Sequence, residues 1–150
     1  MQLRSVIADV ANEFHTYRGI VKDAQVDDTT YYSAVTIDGS KDNEIEVIGE
    51  RLIQYHAYIA DSANKDQAQK LVQKWKEKIQ TAAPDYQMTQ VNSVAGKRKT
   101  MGYRFSKLLK NMCNISIVYR KREIDDYYWV LLTITRPGKE MIKTEERREE

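Results

Sequence analysis

The stretch that most constrains the fold is residues 127–136, YYWVLLTITR, where both alternating sets of side chains are apolar. In an extended strand Trp129 and Leu131 fall on one side, and Tyr128, Val130, Leu132 and Ile134 on the other. A strand with one wet face alternates apolar with polar. A strand apolar on both sides therefore belongs in the middle of a sheet, or has its second face covered by a helix or a partner subunit. The chain needs further strands to flank it and something to lie over it.

The flanking strands are legible as alternation. Residues 31–37 alternate and close on Asp38, Gly39 and Ser40, a turn signal, whereas residues 22–30 read as a loop. Residues 44–60 place Ile45, Val47, Ile53, Tyr55, Ala57 and Ile59 on one parity, with Glu44, Glu46, Glu50, Gln54 and His56 on the other. Gly49 marks a bulge or a break into two strands there. Residues 86–91, 101–109 and 115–120 follow, and residues 123–126 turn the chain into 127–136.

Helical periodicity occurs twice. Leu3, Val6, Ile7, Val10, Phe14 and Tyr17 recur at spacings of three and four, which predicts a helix over residues 3–17. Asn64 and Gln67 resemble a capping box ahead of Ala68, Leu71, Val72, Trp75 and Ile79, and Pro84 stops that helix. Helix followed by strands thus appears twice, as divergent duplication would leave it, although no repeat is exact.

These elements predict an α+β fold: an antiparallel sheet of about five or six strands with the two helices packed on one face. The expected core is Val6, Val10, Phe14, Val35, Ile37, Ile53, Tyr55, Leu71, Val72, Trp75, Ile79, Phe105, Ile117, Trp129 and Leu131. At 150 residues, with only 6 Gly and 2 Pro, the chain is long enough for one such domain over residues 1–138. Residues 139–150 carry five acids and four bases and read as a charged tail, solvated or a frayed helix.

Phe14 followed by Gly19, Tyr31-Tyr32-Ser33 opening a strand, and Ile37-Asp38-Gly39 form one set of landmarks. Tyr55 and Tyr58 on a long strand, then a helix entry from Ser62 to Ala68 leading to Trp75 and Ile79, extend it. In this aromatic and glycine placement, residues 3–80 resemble a group of small exported or lipid-anchored Bacteroidetes proteins of unassigned role. The resemblance implies a place in the periplasm or cell envelope and brings no catalytic residues with it. Residues 1–15 contain Arg4, Asp9 and Glu13 and no secretory signal, so either the protein is cytoplasmic or a leader has been removed.

Most chemistry has no motif here. His15, His56 and Cys113 lack the close spacing of a zinc site, and the single Cys excludes an internal disulfide. No nucleophile elbow, phosphate-binding glycine loop or calcium loop is present, and no apolar run reaches membrane-span length. No cofactor is expected. Asn114, Ile115 and Ser116 form a glycosylation sequon inside a strand, taken as chance.

Charge is unevenly distributed. Residues 1–63 carry 5 bases and 11 acids, whereas residues 86–122 carry 9 bases and no acid. The candidate binding residues are Lys97, Arg98, Lys99, Arg104, Lys107, Arg120 and Arg122, with Lys110 among them in sequence and Tyr103, Phe105 and Tyr119 interleaved. Exposed together on one face they would bind phosphates and stack bases. Alternation instead puts Tyr103 and Phe105 opposite Arg104, and acidic strands of the first half would neutralise the bases across the sheet. Paired tyrosines point to opposite faces, which leaves one member of each pair for a binding face or subunit contact.

Three functions follow as expectations. The first is a non-enzymatic binding module of the bacterial cell envelope, acting through a sheet face or as a homodimer. The second is a polyanion or nucleic-acid binder using residues 97–122. The third is a small enzyme assembled from distant residues around His56 and Tyr58.

Overall fold

A computed structural model describes residues 2–50, 52–96, 98–107 and 113–137. The N-terminal periodicity yields much less helix than its spacing predicts. Helix α1 covers only Leu3–Ala8, and 3-10 turns follow at Asp9–Asn12 and His15–Tyr17. Between them Glu13 and Phe14 adopt left-handed backbone, φ 57° and 58°, which no α-helix accommodates. Leu3, Val6, Val10 and Phe14 are nevertheless buried. The reversal seats Phe14 against Tyr55, ring centroids 5.5 Å apart.

Four strands follow α1: β1 (Arg18–Gln25), β2 (Asp28–Ser33), β3 (Lys41–Ile48) and β4 (Leu52–Ala63). Helix α2 (Lys65–Ala82) precedes four more: β5 (Gln87–Ala95), β6 (Arg98–Ser106), β7 (Asn114–Lys121) and β8 (Tyr128–Pro137). All join one antiparallel sheet in the order β1-β2-β3-β4-β8-β7-β6-β5, eight strands rather than five or six. The extra strands come from residues read as loop or as single segments. Residues 22–30 are in fact the β1–β2 hairpin, turning at Asp27 (φ 60°). Gly49 (φ 53°) separates β3 from β4.

A helix followed by a four-stranded meander therefore occurs twice, and the two meanders meet where β4 pairs with β8. Strand β8 sits between β4 and β7, the central place its two apolar sides require. Helix α2 begins with a complete capping box: the Asn64 side chain accepts from the Gln67 N–H at 2.8 Å, and the Gln67 side chain accepts from the Asn64 N–H at 3.1 Å. Ala68, Val72, Trp75 and Ile79 are its buried stripe, against β7, β8, β4 and β6. The expected pair of long cover helices is thus one 18-residue helix and one of 6 residues.

The core lies between α2, the N-terminal turns and one face of the sheet, filled by Ile45, Ile53, Tyr55, Phe105, Ile115, Ile117, Leu132 and Ile134. Trp129 and Leu131, expected in this core, alternate with Val130 and Leu132 and lie half-buried on the other face. Val35 and Leu71 are also only half-buried. Residues 138–150, including the expected tail, lie outside the described residues.

Candidate interaction face

Among the described residues, no helix covers the second face of the sheet. Strand register arranges its side chains in rows that cross the molecule. One row runs through Tyr32, Glu44, His56, Thr133, Ser116 and Arg104, on β2, β3, β4, β8, β7 and β6 in turn. The next contains Tyr58, Leu131, Val118 and Gly102, and beyond it Trp129 stands opposite Arg120 and Arg120 opposite Thr100. The face therefore has an acidic side, an apolar middle and a basic side.

On the acidic side Lys22 forms an ion pair with Glu44. The Glu46 carboxylate lies 3.4 Å from His56 Nε2. Burial, and then the neighbouring Asp28 carboxyl, push the Glu46 pKa up, while His56 opposes the shift. In the middle, Tyr58, Leu131 and Trp129 are half-buried and Val118 is nearly covered. Tyr58 and Trp129 join Tyr32, Lys22, Glu44 and Asp61 around a groove of about 550 Å³.

On the basic side the sequence-predicted residues are divided. Arg98, Arg104, Arg120 and Arg122 share the open-face parity. Arg104 is exposed, and Arg120 Nε donates to Thr100 Oγ1 at 2.9 Å. Arg98 is held by Glu123 at 2.6 Å. Arg122 donates to the Asp61 carbonyl at 2.9 Å and lies 3.4 Å from Asp125. Lys99 falls on the opposite parity, and Lys107 pairs with Asp85 at 2.8 Å. Lys97 and Lys110 lie outside the described residues. The neutralising acids thus come mainly from the β7–β8 turn and from Asp85, whereas acidic strands of the first half had been expected to supply them.

The aromatics interleaved with these bases face the other way. Phe105 and Tyr119 are buried, and Tyr103 accepts from Gln73 at 2.7 Å with Lys76 Nζ 4.7 Å from its ring centroid. The open-face aromatics are Tyr32, Tyr58 and Trp129. Their sequence signal was parity: position 58 with His56, and position 129 with Leu131.

The remaining chemistry is sparse. No group of three His, Cys, Asp or Glu among the described residues is placed to hold a metal. Cys113 is buried, and burial pushes its thiol pKa up, away from the thiolate. No helix of the described residues is long and apolar enough to cross a membrane. Comparison with protein families, curated proteins and solved structures found no match.

Proposed function

We propose that the chain is a non-enzymatic interaction module that takes a protein partner on the uncovered face of its sheet. The observation behind this reading is the apolar middle of that face, where Tyr58, Val118, Trp129 and Leu131 sit together at the centre of eight strands. Apolar groups flanked by charge on both sides are the composition of a binding patch: apolar burial supplies affinity, and the charges fix orientation. Leu131 and Trp129 are already half-buried, so covering what remains exposed would contribute about 1 kcal/mol each. The resemblance of residues 3–80 to exported Bacteroidetes proteins supports a place for this module in the periplasm or cell envelope.

The test is a photo-crosslinking amino acid at Leu131, with Ile124, exposed on the β7–β8 turn, as control position. In the native cells, one dominant protein adduct at 131, lost on Trp129→Ala, is expected. Equal labelling at both positions would overturn the reading.

A second reading rests on Arg104 and Arg120, which stand on the open face without an ion pair among the described residues. It makes the chain a polyanion binder. Heparin and a single-stranded oligonucleotide, titrated at low and moderate salt, separate the two. Steeply salt-dependent binding lost on joint Arg104→Glu and Arg120→Glu substitution favours this second reading. Indifference to both polymers favours the first.

A further inference from the structure

The sheet has two edges, and they are built differently. Strand β1 pairs with β2 through two register shifts, between Arg18 and Val21 and between Val21 and Asp23. It also carries Lys22 and Asp23. Irregular pairing and charge are the devices that keep an edge from recruiting another strand. Strand β5 has neither. It pairs with β6 in unbroken register from Gln87 opposite Ser106 to Ala95 opposite Arg98. Residues 86–96 contain no charge and no proline, in a chain that is 31% charged. Apart from half-buried Val91, all of β5 is exposed, and no strand among the described residues takes its outer side.

The sequence of β5 is also chemically symmetric about Val91. Gln90 and Asn92 are both amides, Thr89 and Ser93 both hydroxyls, and Met88 and Val94 both apolar. Antiparallel pairing of two β5 strands centred on Val91 sets Gln90 against Asn92 of the second copy, Thr89 against its Ser93, and Met88 against its Val94. Like then meets like at the three positions on either side of Val91, and only the end pair, Gln87 against Ala95, is unlike. Moving the centre to Gln90 sets Asn92 against Met88, and moving it to Asn92 sets Gln90 against Val94. One register is selected.

We infer that two copies of this chain join edge to edge through β5, about a two-fold axis at Val91 that stands normal to the sheet. Such an axis keeps faces on their own sides. Both α2 helices lie on one face of the joined sheet, and the two uncovered faces continue into one another on the other. The contact is small and mostly polar, so the dimer is concentration-dependent. It leaves Tyr58, Trp129 and Leu131 accessible and stands independently of the function proposed for that face.

Sedimentation equilibrium of the full chain tests the inference. The mass is expected to rise from 17.5 kDa toward twice that value as concentration climbs through the micromolar range. The paired substitutions Gln90→Lys and Asn92→Lys oppose like charges twice across the axis and should hold the chain monomeric. Gln90→Lys with Asn92→Glu opposes unlike charges at the same two positions and should restore the dimer. A wild-type chain monomeric at all concentrations would overturn the inference, as would a dimer that tolerates the Lys/Lys pair. Loss of the dimer in both doubles, with circular dichroism unchanged, would overturn the Val91 register. A dimer broken by Leu131→Asp and untouched at positions 90 and 92 would place association on the open face instead.

Discussion

The hydroxyl of Tyr55, completely buried, donates to the side-chain oxygen of Asn43 at 2.7 Å. That oxygen also accepts from the Ile37 N–H at 3.0 Å, and the Asn43 amide donates to Ser40 Oγ at 3.0 Å. Residues 34–40 have no strand partner. One tyrosine of the central sheet and one buried asparagine thus fasten the loop that delivers Ile37 to the core. Burial pushes the Tyr55 pKa up to about 12, so the hydroxyl stays protonated and donating at neutral pH.

Tyr55→Phe should cost about 1–3 kcal/mol, because it leaves Asn43 short of a donor while preserving the ring against Phe14. Asn43→Ala should cost more, since it orphans the buried Ile37 N–H, opens a cavity and leaves the Tyr55 hydroxyl only its contacts with Ser33 Oγ at 3.0 Å and the Val35 carbonyl at 3.3 Å. Urea unfolding followed by circular dichroism ranks the two. Equal stability of Tyr55→Phe and wild type would show the network to be energetically idle.

Gly102 has φ +155°, and a Cβ there would lie 2.0 Å from the Ile117 carbonyl oxygen and 2.8 Å from Val118 Cα. Both neighbours are backbone of β7 and have nowhere to go. Gly102→Ala should therefore lose about 4 kcal/mol or more, or prevent folding. Gly96 (φ +64°) has open space at the same position, so Gly96→Ala should cost only about 1–2 kcal/mol of backbone strain. Thermal melts of the two variants compare crowding with strain alone.

The pKa of Glu46 is raised, first by burial and then by Asp28, against the opposing pull of His56. A carboxyl whose folded pKa exceeds its unfolded one contributes stability that is fully present below the unfolded value and lost as pH rises through the folded value. Glu46→Gln mimics the protonated acid and should remove that loss. The variant should match wild type in acid and exceed it at neutral pH, as read from denaturation midpoints across that window. A neutral-pH midpoint below wild type would mean that the His56 contact outweighs burial.

Removal of the α2 cap by Asn64→Ala should cost about 1 kcal/mol, since Asn64 and Gln67 satisfy each other's backbone N–H groups. Asn64→Ser should recover most of it. Hydrogen exchange at the Gln67 N–H gives a local readout alongside the global one.

Helix α2 was legible because three independent signals agreed on it: the cap at Asn64, the stripe through Trp75 and the stop at Pro84. The N-terminal segment misled because buried residues spaced by three and four also suit 3-10 turns, and nothing announces left-handed backbone at Glu13 and Phe14. The β1–β2 hairpin was hidden because an exposed edge strand has no buried face, and hence no alternation to read. Trp129 and Leu131 went to the wrong side because a strand apolar on both faces does not say which one α2 covers. The basic segment could be seen, but its disposition could not. Glu123, Asp125 and Asp85 flank it in sequence, and only the turns of the chain bring them onto Arg98, Arg122 and Lys107.

The central seam also orders the events of folding. Pairs within each meander are contacts between consecutive strands, whereas Tyr55 meets Ile134 and Leu52 meets Pro137 across more than half the chain. The local hairpins can form early. The seam waits for that long loop to close, and such closure limits the rate of folding for sheets of distant strands. Loop-closure entropy alone thus sets the expectation that each half acquires its pleat and twist first, and that the hydrogen bonds making two meanders into one body form last.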